Sequence, residues 1–303
     1  MIIYHDGVQM IKIKKFLNSG QSLIYPDLNF FIDKINKNQF FSITKFSMEW
    51  WMIIKKTLDR NKIKLTDIKI KNDVFMSEFA KNMVILCNTH QTKHRNWKIC
   101  EHKLKDILIA MTKKYDINML YGVTERAGYK YNEKISYPAD ITNKTKIMTN
   151  ILNVIYPKNG NDLYHTICWK YWAHTGELKT FFNAINHMEI IVVGPSHFQN
   201  FGEKIKAKNF KHIKIHKTEA LLNVEDYKNQ MIEINNKANN PKIFIMQGGS
   251  PIMWLITNLH GKIKNCSMID MGQAIDTYYY FDNIKKMPWI SKLNSPPNWI
   301  KIK

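Results

Sequence analysis

Three short apolar runs in the last third of the chain each stop at a polar turn that contains glycine. The runs and their turns are 189–193 (EIIVV) before Gly194, 242–246 (KIFIM) before Gly248, and 266–269 (CSMI) before Gly272. An amphipathic segment follows each turn, and this alternation is typical of parallel strands joined by crossover helices. Ligands of open α/β sheets bind outside the carboxyl ends of the strands, so the sequence predicts that the three turns share one functional rim.

The rest of the chain predicts the same class of fold, a Rossmann-like α/β domain whose mostly parallel sheet has helices on both faces. Periodicity and cap residues predict helices at 26–37, 47–58, 101–114, 142–155 and 177–185, strands at 40–46 and 118–121, and a long loop at 124–140. No repeat or linker divides the sequence. We therefore predict a single domain over 1–303, with an N-terminal extension at 1–25 and a C-terminal strap at 282–303.

Cysteine usage and hydropathy bear on the compartment. The four cysteines are scattered along the chain, as is typical of free thiols in a reducing environment. The sequence contains no run of the roughly 18 apolar residues that a membrane helix needs, and its N-terminus lacks a basic segment followed by a long apolar stretch. We therefore predict no transmembrane segment and a cytoplasmic location, which for a viral protein means the host cytoplasm.

Positive charge is the second strong property of the sequence. The chain has 45 Lys plus Arg against 25 Asp plus Glu, a net charge of +20, which favours polyanionic partners such as nucleic acid. The codon bias of an A·T-rich genome is a competing explanation for the lysines, although it does not explain why acids are few. Lys93, Arg95, Trp97 and Lys98 interleave basic groups with an aromatic ring and are predicted DNA contacts, with a solvated basic loop as the alternative.

Five segments, in order, resemble the GT-D type glycosyltransferases, which include phage and bacterial members. The segment 36–50 (NKNQFFSITKFSMEW) resembles the family's opening strand and helix, which carry an Asp-x-Glu motif. The other similar segments are 121–123 (YGV), 178–182 with 193–197 (LKTFF and VGPSH), 248–251 (GGSP) and 269–279 (IDMGQAIDTYY). The resemblance implies a Rossmann-like fold and transfer of a sugar from a nucleotide sugar, most simply a UDP-sugar, with Mn²⁺ or Mg²⁺.

The Asp-x-Glu motif is incomplete in this chain. If Glu49 is its glutamate, Ser47 stands at the aspartate position; an alignment without a gap loses both acids. The resemblance then implies a metal site at Glu49 and Asp270, with Asp276 as another carboxylate, or metal-independent transfer, or loss of activity. A helix cap at Ser47 and a dipole-complementing Glu49 in the first turn are the structural alternative.

The glycine turns supply the predicted donor-binding residues. Backbone N–H groups at a helix N-terminus bind phosphate, and glycine allows close approach of a ligand. These residues are Gly194, Ser196 and His197 after the first run, Gly248, Gly249 and Ser250 after the second, and Gly272 after the third. Gly122 joins them through the 121–123 segment, and Arg126, in the loop that follows, is predicted to bind a phosphate through two hydrogen bonds. The alternative role of Arg126 is a salt bridge to Glu125 or Glu133.

Two residues between Leu163 and Thr175 complete the predicted site. The resemblance implies that a tryptophan of this region borders the acceptor pocket, which suggests Trp169, and His165 has the chemistry of a general base. Aromatic residues at such spacing are more often part of a core. With Glu49 and Asp270, His165 forms the predicted catalytic set.

The sequence leads to one functional hypothesis and two alternatives. The hypothesis is a glycosyltransferase whose acceptor is a hydroxymethylated base in DNA, a choice that rests on charge and requires the base to be flipped out or reached in the major groove. The first alternative is a transferase for surface glycans. The second is an inactive protein of the same fold that binds nucleic acid. The oligomeric state is not predicted.

Overall fold

A computed structural model describes the residues 2–4, 10–15, 22–46, 48–62, 77–79, 81–82, 97–110, 118–123, 130–132, 135–136, 150–154, 162–216, 219–237 and 239–282. Its strands are, in chain order, β1 (Ile2–Tyr4), β2 (Met10–Lys15), β3 (Ser22–Tyr25), β4 (Ser42–Phe46), β5 (Met119–Val123), β6 (Lys130–Asn132), β7 (Ile135–Ser136), β8 (Leu163–His165), β9 (Glu189–Gly194), β10 (Asn209–Lys214), β11 (Lys242–Met246) and β12 (Cys266–Asp270).

Helices alternate with these strands. They are α1 (Leu28–Asn36), α2 (Met48–Arg60), α3 (Trp97–Ala110), α4 (Ile167–Thr175), α5 (Leu178–Ile185), α6 (Phe201–Lys204), α7 (Val224–Asn236), α8 (Ser250–Leu259) and α9 (Ala274–Tyr279), with a 3₁₀ helix at Ser196–Asn200. The N-terminus of α1 is capped by Asp27, which accepts a hydrogen bond from the backbone N–H of Asn29 at 2.7 Å.

Ten of the strands form one sheet in the order β1-β2-β3-β8-β5-β4-β12-β11-β9-β10, and β6 and β7 form a separate hairpin. Every neighbouring pair from β3 to β10 in that order is parallel, whereas β1, β2 and β3 pair antiparallel. The predicted fold class, a mostly parallel α/β sheet, is confirmed. Residues predicted as an N-terminal extension contribute β1 to β3 and so belong to the sheet.

Two apolar cores lie on opposite faces of this sheet, because successive side chains of a strand point to opposite sides. On β9, Ile191 and Val193 belong to the first core, and Ile190 and Val192 belong to the second. Helices α2, α3, α7 and α8 supply the first core, and α1, α4, α5, α6 and α9 supply the second. The prediction of helices on both faces is therefore confirmed.

The six crossover connections whose helices are described share one hand. Connections that run from β4 to β5, from β10 to β11 and from β11 to β12 move one way along the sheet and place their helices on the first face. Those from β3 to β4, from β8 to β9 and from β9 to β10 move the other way and place theirs on the second face. The direction of a connection along the sheet and the face that carries its helices change together, as they must if all these crossovers have the same hand.

A topological switch point lies between β4 and β12, which are neighbours in the middle of the sheet. After β4 the chain enters α2 on the first face, and after β12 it enters α9 on the second. Because the two connections diverge, a crevice opens between the carboxyl ends of these strands, where open α/β sheets bind their ligands. This crevice fixes where the functional groups described below can meet.

The three glycine turns lie on the predicted common rim. Met246 is paired with Asp270 on β12 and with Val193 on β9, so the three strands end level with one another. The backbone N–H of Gln247 donates to the Val193 carbonyl at 2.9 Å, and that of Met271 donates to the Met246 carbonyl at 3.1 Å. The prediction that these turns share one edge of the sheet is confirmed.

Besides β1 to β3, two further strands of the sheet were not predicted from the sequence pattern. Strand β8 has three residues, too few for a period to be recognised. Strand β10 pairs only with β9 among the described residues, and four of its six side chains are polar (Asn209, Lys211, His212 and Lys214), so no apolar alternation is visible in its sequence. The segment between β9 and β11 therefore contains one strand more than was predicted, in addition to helix α7.

Close packing around residue 122 on β5 leaves no room for a side chain larger than that of glycine. A Cβ atom at this position would lie 2.0 Å from Thr166 Cγ2 and 2.4 Å from the Thr44 carbonyl oxygen. The second contact is to backbone, so side-chain rotation cannot relieve it. We expect Gly122→Ala to lower the free energy of unfolding by about 3 kcal/mol, measured by urea denaturation.

Gly261→Ala is the control for Gly122→Ala. Gly261 has a φ of +75°, yet no atom lies within 4 Å of the position that a Cβ atom would occupy there. Only backbone strain of about 1 kcal/mol is expected. Equal losses for the two variants would contradict the packing argument.

Candidate active site

Lys45 and Asp270 meet at the crevice between β4 and β12. The carboxyl group of Asp270 accepts a hydrogen bond from the Gly272 backbone N–H at 3.1 Å and another from the backbone N–H of Lys45. Gly272 has a φ of +51°, and a Cβ atom there would lie 3.0 Å from Lys45 Nζ. The Lys45 ammonium therefore lies against the glycine turn, beside the Asp270 carboxyl, where it can attract an anionic ligand.

Burial dominates the acidity of Asp270, whose residue surface is only 3% exposed. It raises the pKa of Asp270 to about 7, against the opposing effects of the Lys45 charge and of the two backbone N–H donors. Near neutral pH this carboxyl is therefore poised between its charged and neutral forms. Such a group at a ligand-binding crevice is typical of a functional site.

The raised pKa of Asp270 gives a pH-dependence of stability with a definite sign. Its folded pKa of about 7 exceeds the ordinary value of 3.8, so its stabilising contribution is complete below about pH 4 and is lost as the pH rises to about 7. In that window the free energy of unfolding of the wild type should fall, relative to Asp270→Asn, by up to about 1.4 kcal/mol per pH unit. Urea denaturation of both proteins from pH 4 to pH 8 measures this; a constant difference would contradict it.

A second polar cluster joins the turns after β9 and β11 to helix α9. The imidazole Nε2 of His197 lies 2.7 Å from Asp276 Oδ1, and Gln247 Nε2 donates to Asp276 Oδ2 at 2.5 Å. Asp276 is buried, whereas 27% of the His197 side chain is exposed. The rim thus presents a partly accessible imidazole that is bonded to a buried carboxylate.

The turn from β11 into α8 places two glycines directly before the N-terminus of a helix at the rim. Gly249 has φ +65° and ψ −136°, a conformation that essentially only glycine adopts, and it precedes Ser250 and Pro251 at the start of the helix. The Ser250 side chain is buried, and its Oγ has no hydrogen-bond partner among the described residues. Backbone N–H groups at the start of such a helix can bind an anion.

The interface of α4 and α9 adds further polar groups behind the rim. Lys170 Nζ donates to Gln273 Oε1 at 3.3 Å. Burial lowers the pKa of His174 to about 4, with a further contribution from the Lys170 charge. His174 is therefore a neutral imidazole at physiological pH.

Two predicted site residues occupy positions that do not suit their predicted roles. His165 ends β8 on the correct edge of the sheet, but its side chain is fully buried, so it does not face an acceptor. Trp169 is also fully buried, because it packs between Phe31 and Phe181 in the second core, and it is not a surface that DNA can contact. His165 on β8 and Trp169 on α4 therefore both point into the interior of the protein.

The remaining predicted residues divide into two groups. Those at the described rim are Gly194, Ser196, His197, Gly248, Gly249, Ser250, Asp270 and Gly272, while Gly122 lies near the end of β5 against Thr166. Outside the described residues lie Ser47, Lys93, Arg95, Arg126 and the side chains of Glu49, Trp97 and Lys98. For all of these the predicted ligand contacts stay predictions.

Sequence reasoning missed three groups that the fold brings to the rim. Lys45 belongs to the predicted 40–46 strand. Its position one residue before the end of that strand could have indicated that it lies at the rim. Gln247 is the first residue after a buried strand, where polar side chains reach the rim. Asp276 was predicted, like Asp270, as an acid that could bind ribose, a metal or an acceptor hydroxyl, but its contacts with His197 and Gln247 were not foreseen.

The described residues do not fit a divalent metal at Asp270. Among them, no three His, Cys, Asp or Glu side chains are placed to hold a metal ion. The Asp270 carboxyl already accepts backbone N–H groups and lies beside the Lys45 ammonium, whose charge would repel a cation. The predicted partner Glu49 is in the first turn of α2, and its side chain is not described.

Three solved structures are similar in fold to this chain. A glycosyltransferase from Streptococcus sanguinis in the group called domain of unknown function 1792 superposes with a TM-score of 0.55, at 12% identity, over 85% of this chain and 84% of that chain. Another solved member of this group is described as having a distinct glycosyltransferase fold; it gives a TM-score of 0.50, at 10% identity, over 84% of this chain and 80% of that chain.

This chain has a glycosyltransferase fold. A selenomethionine structure of the same domain group agrees, with a TM-score of 0.53, at 10% identity, over 84% of this chain and 80% of that chain. No protein-family model matches the sequence, and neither does any curated protein. At these identities the likeness supports the fold that the GT-D resemblance implied, while the glycosyltransferase activity itself has to be argued from the rim.

None of the helices in the described part of the chain combines the length and the apolar character needed to cross a bilayer.

Proposed function

We propose that this protein transfers a sugar from a nucleotide sugar, most simply a UDP-sugar, to an acceptor hydroxyl. The observation that carries the proposal is the cluster of Lys45, Asp270 and Gly272 in the central crevice of a glycosyltransferase fold. Crevices at the switch point of open α/β sheets bind nucleotide ligands. Here the crevice contains a cation and a glycine turn, which suit the diphosphate of such a donor.

Transfer requires the enzyme to stabilise the nucleoside diphosphate as it leaves the anomeric carbon. Groups already placed at the developing negative charge are the most effective means, because they need no rearrangement in the transition state. We assign this role to the Lys45 ammonium, aided by the backbone N–H groups of the Gly248–Ser250 turn. Because the described residues do not fit a metal, no step is assigned to one, and the Glu49–Asp270 metal site stays a prediction.

The net charge of +20 supports an anionic acceptor. We propose DNA that carries a hydroxymethylated base, whose primary hydroxyl is a suitable nucleophile. Electrostatic binding to DNA weakens steeply with salt, because counterions are released on binding. The proposal therefore requires both a preference for hydroxymethylated DNA over free nucleosides and a loss of rate at higher salt.

A transfer assay read by nucleoside mass spectrometry tests donor and acceptor together. Duplexes that contain cytosine, 5-hydroxymethylcytosine or 5-hydroxymethyluracil are incubated with the protein and a set of UDP-sugars, with manganese or with EDTA. We expect a mass increase of one hexose on a hydroxymethylated base only, and activity in EDTA would exclude an essential metal. Slow hydrolysis of the donor without DNA modification would indicate a glycan acceptor. The absence of both transfer and hydrolysis would favour a nucleic-acid-binding protein without activity.

A further inference from the structure

His197 and Asp276 form a pair whose geometry defines the protonation of the imidazole. Both oxygens of the Asp276 carboxylate are engaged, Oδ1 by His197 Nε2 at 2.7 Å and Oδ2 by Gln247 Nε2 at 2.5 Å. A carboxylate only accepts hydrogen bonds, so the proton of a neutral His197 ring lies on Nε2. The other ring nitrogen, Nδ1, then carries the lone pair and can act as a base.

The surroundings hold this pair in place. Asp276 is 5% exposed, and its carboxylate lies within hydrogen-bond distance of the imidazole. The His197 ring packs against Phe198, with ring centroids 4.2 Å apart, and lies 5.9 Å from the ring of Tyr280. The ring is therefore restrained on its faces while 27% of the side chain is exposed at the rim.

We propose that His197 is the general base of the transferase and that Asp276 is its positioning residue, with Gln247 holding the carboxylate. This inference rests on the function proposed above and adds a base that His165, being buried, does not provide. His197 follows β9 on the rim, and the Gln247–Asp276 contact ties it to the turn that continues into the Gly248–Ser250 loop. The base and the donor-binding loop are thus connected through one side chain.

The chemical step balances without another reactant. The acceptor hydroxyl gives its proton to His197 Nδ1 while its oxygen forms a bond to the anomeric carbon of the sugar. The bond from that carbon to the diphosphate oxygen breaks, and its electron pair leaves with the nucleoside diphosphate. The Asp276 carboxylate stabilises the imidazolium, which afterwards returns its proton to water.

Chemical rescue tests whether His197 acts as a base. We expect His197→Ala and His197→Gln to lower kcat by about 10²–10³-fold with the KM for UDP-sugar changed less than threefold, the size typical of general-base catalysis. Added imidazole should restore at least a tenth of the lost rate to His197→Ala and nothing to His197→Gln, which leaves no cavity. His187→Ala, at an exposed position just before β9, is the matched control and should match the wild type.

Asp276 is tested by one variant of equal size and by one that keeps the carboxylate but adds a methylene group. Asp276→Asn removes the charge but can keep hydrogen bonds, and we expect it to lower kcat at least tenfold while UDP affinity, measured by calorimetry, is unchanged. Asp276→Glu restores a carboxylate and should recover part of that loss. A purely structural role would affect both variants through stability, which thermal unfolding reports separately.

A measurement that needs no turnover separates this inference from the proposed function. In protein labelled with ¹⁵N-histidine, NMR should show the neutral His197 ring protonated on Nε2, and this preference should disappear in Asp276→Asn. A proton on Nδ1, or a wild-type rate in His197→Ala, would overturn the base assignment alone. A correct tautomer with neither transfer nor donor hydrolysis in the wild type would overturn the proposed function, and the base assignment with it.

Discussion

Lys45→Met is expected to lower kcat/KM for sugar transfer by about 10²–10³-fold, the loss typical when one preorganised group that faces developing charge is removed. The ammonium of Lys45 lies at the glycine turn beside Asp270, in the crevice between β4 and β12. No other residue of β4 carries a positive charge. Steady-state kinetics with the UDP-sugar identified by the transfer assay measure the effect, and Lys45→Arg should retain part of the activity because it keeps the charge.

The control for Lys45→Met is Lys55→Met, which makes the same change of charge and shape on helix α2. Lys55 is half-exposed and pairs with Asp59, one turn further along that helix. Such a surface ion pair contributes about 0–1 kcal/mol, so activity and stability should stay close to those of the wild type. Activity within threefold of wild type in Lys45→Met would show that the diphosphate does not lie at Lys45.

Trp169→Ala is expected to lower the free energy of unfolding by about 3–5 kcal/mol, the usual cost of removing a large buried ring. Trp169 packs with its centroid 4.7 Å from that of Phe31, 5.1 Å from Trp172 and 5.4 Å from Phe181. Its removal leaves a cavity between α1, α4 and α5. Urea denaturation with tryptophan fluorescence or circular dichroism measures the loss.

Phe281→Ala removes a smaller aromatic ring from a position at the surface and should lower stability much less than Trp169→Ala. The pair also distinguishes a core tryptophan from a DNA contact. A DNA contact at Trp169 would produce a large loss of duplex affinity with stability almost unchanged. We expect the opposite pattern under conditions in which the variant remains folded.

The strands of the last third were predictable because each is a buried run bounded by a turn. Strand β11 begins and ends at the predicted residues, and β9 and β12 extend one residue beyond the prediction. Helix α3 was predicted four residues too late, since its first turn contains Trp97 and Lys98 in a segment that reads as a basic loop. Strand β10 was missed because solvent contact, not burial, determines most of its side chains.

The candidate site was only partly predictable for a different reason. A strand followed by glycine marks a rim position, and this rule found Asp270, His197 and the Gly248–Ser250 turn. It does not show which rim residues meet, because the Lys45–Asp270 contact depends on β4 pairing with β12. It also does not show that His165 and Trp169 turn inward, since that depends on how α4 packs against α1 and α5.

The pairing of β4 with β12 has a consequence for how the protein is made. The middle of the sheet joins residues 42–43 to residues 268–269, so this seam cannot close on the ribosome until the end of β12 has emerged. Until then the apolar edge of β4 has only β5 beside it. Contacts between such distant segments form slowly, and an unpaired hydrophobic edge promotes aggregation. Yield in cells should therefore depend on chaperones and on the rate of translation more than on final stability, and activity should appear only as the last third of the chain is completed.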